Sequence, residues 1–445
     1  MPRACGRSSR SDRRGSPGSS ALRGWLAQVS AGLRPVADDR RWLLPIGLAL
    51  YVLGSTWSWN FPNWQGIPFP AAWLGVAGPA LLVWQRRRAG LDPIAAAAIV
   101  AISAMVLTDV TLFWTQALRD FELYVKAGDR WLAGGRVYMN VPLAATPEDL
   151  SNYPFLYPPV TLPLFAGLAL IPFPVAAGLW LGVSVAALLA GLRWIGLSWR
   201  WGLLILAWPP VAQGLLVGNV AIPLFALFAI APWCAAVLAI PPIFKLYSAI
   251  AALWLLRREH WRSAALGGVG VVGACVATLP LVGPQMWVDW VGGLQVYQVS
   301  LQLLPDKLYG YGLARYMPLV AFLVIATAVT VLALRARGRR EQLARLGVAT
   351  VTGSPSLFAH GYLVAFPAML RLETPWFWLA FGLTACAPGP AWFAAIAVLV
   401  ASWFDPRLRK KRGFDPYHPL GAAGAAWPGA LARTAAASPR RQGTA

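Results

Sequence analysis

Apolar runs recur along almost the whole chain, separated by short polar or basic turns. The longer ones fall at about 42–58, 68–85, 93–116, 174–193, 201–213, 263–282 and 313–334, with about four shorter segments within 344–403. Runs of this length that do not alternate predict spanning helices, not barrel strands. The expected fold class is all-α: a polytopic helical membrane protein of about 12–14 membrane segments, some of them short and broken.

The basic turns set a direction. Arg86-Arg87-Arg88, Arg193 with Arg200, Arg257 to Arg262, Arg335 to Arg340 and Arg407 to Arg412 each follow an apolar run. Read as cytoplasmic loops, they place both termini inside and deliver Asp120 to the outer face. The interval 219–256 has to cross an odd number of times. Three full spans need roughly 60 residues, so short proline-broken helices are expected around Pro241-Pro242, with Lys245 near their outer end. A second long external loop is expected over about 283–312.

The longest polar interval, 120–163, holds Asp120, Glu122, Asp129, Glu148 and Asp149, a large share of the 17 acidic residues. Its first part predicts a helix lying along the surface. Phe121, Tyr124, Val125, Trp131 and Leu132 share a face, opposite Glu122, Lys126, Asp129 and Arg130. Gly134-Gly135 would stop it. Pro154, Pro158, Pro159 and Pro163 then lead the chain back towards the membrane.

Composition supports the membrane reading and narrows the rest. The 445 residues are 58% hydrophobic and 12% charged, and the 24 tryptophans suit bilayer interfaces. The net charge of +21 sits in the tails and short loops, as topology signals would, which argues against a nucleic-acid partner. Cys5, Cys234, Cys275 and Cys386 show no disulfide or metal spacing, and the three histidines share no neighbourhood. No metal or other cofactor is expected, although a divalent ion remains compatible with the chemistry below.

Several ionisable residues fall at outer helix ends, where they are functional candidates. Asp120 could cap the surface helix, with Glu122 in its first turn, or act as a general base on an acceptor hydroxyl. Asp109, three turns earlier, is either a hydrogen-bonded polar residue or a second carboxylate for the same task. Lys245 and Arg315 either snorkel to the interface or bind a phosphate leaving group. His360 is either a packed polar residue or part of the chemistry.

The order Asp120-Phe-Glu-Leu-Tyr124, Gly134-Gly-Arg-Val-Tyr138 and Tyr157-Pro158-Pro159 resembles the first-loop pattern of glycosyltransferase family 87. Gly218-Asn219, Lys245 and Ser354-Pro355 with His360-Gly-Tyr362 resemble later segments of that family, in the same order. The chain departs from the pattern in lacking the glutamine of Gly-Gln-x-Asn and in following Lys245 with leucine. The resemblance implies a GT-C-like membrane mannosyltransferase with a polyprenyl-phosphate sugar as donor and a lipid or glycan acceptor. It implies inverting transfer at the outer face of the cytoplasmic membrane. Asp120 would be the catalytic base, and Lys245, His360 and Asn219 would meet the donor phosphate, joined by Arg315 if that cation faces inward. Glu122, Tyr124, Tyr138, Tyr157, Pro158 and Pro159 would form the substrate loop.

The implied organisation is a basic disordered tail over 1–40, an extra helical hairpin over 41–92, a catalytic membrane domain over 93–404 and a basic disordered tail over 405–445. A lipid or sugar transporter or flippase would share the many helices, but no internal repeat is evident. A GT-C enzyme using another polyprenyl-phosphate sugar would look alike. A structural membrane subunit would have replaceable loop carboxylates.

Overall fold

A computed structural model describes residues 46, 47, 50, 117–143, 153–197, 205–304, 308, 310–385 and 390–410. The basic tail over 1–40, nearly all of the hairpin over 41–92, most of the run 93–116 with Asp109, and the tail beyond 410 lie outside the described residues. The described chain is helical, without a named strand.

The expected surface helix is present as α1, Arg119–Leu132. Glu122, Lys126, Asp129 and Arg130 are exposed, as the pattern predicts. The buried face is narrower than expected: Phe121, Tyr124, Ala127 and Gly128 are inside, Val125 and Trp131 are half-buried, and Leu132 is 49% exposed. The inner face packs mainly on one short helix, α2 (Leu162–Ala169), and Phe121 and Tyr124 also meet Trp180. After Leu132 the chain turns off: Gly135 N–H donates to Arg130 O at 2.8 Å and Gly134 N–H to Trp131 O at 3.0 Å.

Helix α3, Phe173–Trp194, is apolar over its whole length and packs on α5 (Ala221–Ile230), which follows α4 (Pro209–Leu216). Beyond α5 the chain breaks into pieces at Ala235–Ala239, Pro241–Phe244, Leu246–Ser248, Ala249–Ala252 and Leu253–Leu256. These are the short proline-broken helices expected from the crowded interval, with Lys245 in the break.

The loop expected from 283 is overturned. Helix α6 runs Trp261–Leu303 and is kinked at Gly283 (φ 73°, ψ 157°), a conformation that side-chain-bearing residues avoid. Pro284 then stands at the start of a fresh helical segment, where its missing N–H costs nothing. Gly-Pro reads as a loop in sequence; here it is a joint between two helical halves.

Helix α7 (Leu319–Leu334) packs on α8 (Arg339–Thr352). The 3-10 stretch Ala359–Ala365 lies against α4, α5 and α8, and α9 (Thr374–Ala385) pairs with α10 (Pro390–Ala401). Two apolar cores result. One gathers Trp208, Phe225, Trp254, Tyr362 and Phe381; the other gathers Phe121, Tyr124, Phe155, Phe165 and Val220. Helix α5 serves both, Ile222 and Phe225 facing the first and Val220 and Leu224 the second.

Two helical stretches, Phe173–Trp194 and Arg258–Leu303, are long and apolar enough to cross a membrane. Helix α6 leaves Leu266, Val269, Val272 and Val276 more than 60% exposed, and α7 leaves Val320 73% exposed. Apolar surface on this scale is costly in water and neutral in lipid.

Candidate functional site

The site forms where the two cores meet, at the turn between α4 and α5. Gly218 has φ +68°, and a Cβ there would lie 2.7 Å from the Phe121 Cβ, so the turn and the start of α1 touch backbone to side chain. Leu118, the residue before α1, is the one described non-glycine residue with positive φ (58°). Its N–H donates to Leu216 O at 2.7 Å, while the N–H groups of Asp120 and Phe121 both donate to Val217 O, at 2.9 and 3.2 Å. The N-terminus of a helix leaves such donors unsatisfied, and here the carbonyls of a neighbouring turn take them.

This geometry excludes the capping reading of Asp120. Leu118 occupies the N-cap and no side chain caps α1, so the Asp120 carboxylate is not the cap. It points elsewhere. Asn219 Nδ2 donates to Asp120 Oδ2 at 2.6 Å, and Arg119 donates to Oδ1 through Nε and Nη2, each at 3.2 Å. The Asn219 amide is oriented by its other end, since Oδ1 accepts the Ala221 N–H at 2.9 Å. Arg119 in turn lies 4.3 Å above the Tyr153 ring.

Lys245 and His360 complete the group. Lys245 lies in a break and His360 in the 3-10 stretch Ala359–Ala365, both outside the two long apolar helices. Burial pushes the Lys245 ammonium down to about 8, with the Asp120 charge opposing the shift. Burial also holds the His360 imidazole well below its usual range, helped by the positive charges of Lys245 and Arg119. Asp120, Arg119, Lys245 and His360 therefore act within one electrostatic neighbourhood, although 241 positions of sequence separate Arg119 from His360. His360 is 4% exposed, and its Nδ1 has no hydrogen-bond partner among the described residues. A buried polar atom without a partner costs about 1–3 kcal/mol unless a ligand or water meets it.

The tyrosines build the wall. The Tyr124 and Tyr157 hydroxyls meet at 3.0 Å, and Tyr138 Oη donates to Tyr157 O at 2.9 Å. Burial, first of all, raises both Tyr124 and Tyr157, and the Asp120 charge adds to it, so both stay protonated. Pro158 and Pro159 are buried and start a 3-10 turn that leads into α2. The second half of α6 holds this loop from outside, with Trp290 Nε1 donating to Leu156 O at 3.0 Å. Glu122 pairs with Lys126 at 2.7 Å and lines the groove beside the site. Arg315 is held by the Gly310 carbonyl at 3.1 Å and stacks beside Tyr316 at 5.4 Å.

Three neighbours were not singled out by sequence. Arg119 sits next to Asp120, and the one signal it offered was a cation adjacent to a carboxylate. Tyr247 hydrogen-bonds the Ser354 side chain and carries no sequence signal. Trp290 reads as one of many interface tryptophans. This groove of about 430 Å³ opens between α1 and residues 136–143, and Arg119, Lys126, Arg130 and Arg136 line it together with one carboxylate, Glu122. Among the described residues no group of three His, Cys, Asp or Glu side chains could hold a metal ion.

The family model of glycosyltransferase family 87 matches residues 155–359, which bears out the resemblance and indicates glycosyltransferase activity. The matched region takes in Tyr157, Pro158, Pro159, Asn219, Lys245 and Arg315, with Asp120 before it and His360 immediately after it. No curated protein and no solved structure matches the chain.

Proposed function

We propose that this chain is a glycosyltransferase of the family 87 kind and moves a hexose, mannose by the resemblance, from a polyprenyl-phosphate donor to a hydroxyl of a lipid or glycan acceptor. Asp120 is the general base. Its carboxylate takes the acceptor proton as the acceptor oxygen attacks the anomeric carbon, and the bond from that carbon to the phosphate oxygen breaks with inversion. The electron pair leaves with the phosphate, on the side of Lys245 and His360, whose donors meet the charge developing there. The observation that carries this reading is a carboxylate held by Asn219 and Arg119 in one electrostatic neighbourhood with a buried lysine and a buried histidine.

The two long apolar helices and the family match point to a membrane protein. A multi-pass topology with both termini cytoplasmic and the seam at the outer face is part of the proposal. The prenyl chain would stay in the bilayer beside the short helices of 235–256, and the acceptor would approach over Arg119 through the basic groove. Arg315, beside the Ser354–Leu357 segment through Gly310, is assigned to the edge of the donor site.

A pH profile tests the Lys245 assignment. Folding lowers its pKa from 10.5 to about 8. Between those values the unfolded chain binds more protons, so this group's contribution to stability rises with pH across that window. The phosphate-binding charge is lost over the same window. kcat/KM for the donor is therefore expected to fall as pH rises through about 8, while Lys245→Arg keeps its charge and flattens that limb. Identical profiles for wild type and Lys245→Arg would remove Lys245 from donor binding.

A further inference from the structure

A second cluster of cations among the described residues lies away from Asp120, towards the other end of α3. Phe121 packs at a tilt against Phe173 at the start of that helix, with centroids 5.8 Å apart. Trp194, at its end, lines a cavity of about 610 Å³. The helix between them rises about 33 Å, roughly the thickness of a hydrocarbon core.

Four cations (Arg340, Arg371, Arg409 and Lys410) and one carboxylate, Glu341, line this cavity. The carboxylate is already shared: Arg409 Nη1 donates to it at 2.6 Å, and Arg345 pairs with it from the next turn of α8. No ion pair reaches Arg340 or Arg371 among the described residues. Arg340 is instead aimed by the Trp233 ring, 5.0 Å from its guanidinium. Arg371 is half-buried; burial disfavours its charged form, the Glu341 charge opposes that, and Arg340, Arg345 and Arg409 add to it. One carboxylate, already shared by Arg409 and Arg345, leaves these guanidiniums short of counter-charge.

The remaining wall is apolar, formed by Trp194, Ile195, Phe228, Leu343 and Leu370. A small soluble anion has no use for such a wall; an amphiphile does. The position at a helix end, with Trp194 and Trp233 beside the cations, is the level of lipid headgroups. We propose that this cavity seats an acidic phospholipid, its phosphate gripped by the Arg340 and Arg371 guanidiniums and its acyl chain laid along the apolar wall. The site is separate from the transfer chemistry and does not depend on the donor assignment.

Native mass spectrometry of the purified full-length protein, offered equal amounts of phosphatidylglycerol and phosphatidylcholine, tests this. Wild type is expected to retain phosphatidylglycerol preferentially, and Arg340→Gln/Arg371→Gln to lose that preference at least about fivefold, given the attraction of each cation to acidic lipid. Asp120→Asn is expected to retain the lipid as wild type does. Equal retention of both lipids by wild type, or an unchanged preference in the double variant, would overturn the proposal. Displacement of phosphatidylglycerol by millimolar inorganic phosphate would overturn the lipid assignment in favour of a small anion. If the double variant does not fold, Arg340→Lys and Arg371→Lys carry the test, since they keep charge and lose the two-pronged grip. A weakened preference then supports the site and an unchanged one sinks it.

Discussion

Asp120→Asn is expected to reduce transfer about 10³-fold, within the range a positioned general base supplies, while leaving the fold and donor binding in place. Asparagine matches the carboxylate in shape, and its Oδ1 can still accept from Arg119 or Asn219. The loss would therefore report the missing proton acceptor and not a collapsed seam. The assay uses protein in lipid nanodiscs, radiolabelled polyprenyl-phosphate-mannose and a membrane lipid extract as acceptor. Equal transfer by wild type and a folded Asp120→Asn would remove Asp120 from the chemistry. No transfer by wild type with any polyprenyl-phosphate sugar would overturn the donor assignment.

Gly218→Ala is expected to cost both stability and rate. A residue with a Cβ at φ +68° carries roughly 1 kcal/mol of strain. The new methyl would also stand 2.7 Å from the Phe121 Cβ, and overpacking of this kind costs about 1–3 kcal/mol. Relief requires α1 to move away from the turn, which parts Asp120 from Asn219. A displacement near 1 Å at reacting groups is worth about 10²-fold in rate. Gly134 is the control: its φ is +70°, but nothing lies within 4 Å of a Cβ placed there. Gly134→Ala should therefore lower thermal stability through strain alone and leave kcat near wild type. If both variants lose the same activity, the close approach at Gly218 has no special role.

Much of the architecture was legible because membrane physics leaves few choices. Apolar runs, the stop at Gly134-Gly135 and the crowding of 219–256 each predict what the helices do. The period of the runs could not show that Gly283-Pro284 joins two helical halves, because the same dipeptide also opens loops. Asp120, Asn219, Lys245 and His360 were legible as candidates through family order and outer-end position. Parity also brought their turns to one face; the particular bonds among them were not legible, since they depend on α5 belonging to two cores at once. Arg119 escaped because adjacent residues on a helix usually diverge. Here the side chain turns back to its neighbour, aimed by the Tyr153 ring.

The joint between α1 and the turn at 216–219 has a consequence for how this seam tolerates change. Three of its bonds run from main-chain N–H groups of Leu118, Asp120 and Phe121 to main-chain carbonyls of Leu216 and Val217. Main-chain bonds survive most side-chain replacement, so Leu216 and Val217 can drift in sequence without unfastening the carboxylate. The address of Asp120 is written in the backbone, and the side chains around it are free to be rewritten for a different acceptor.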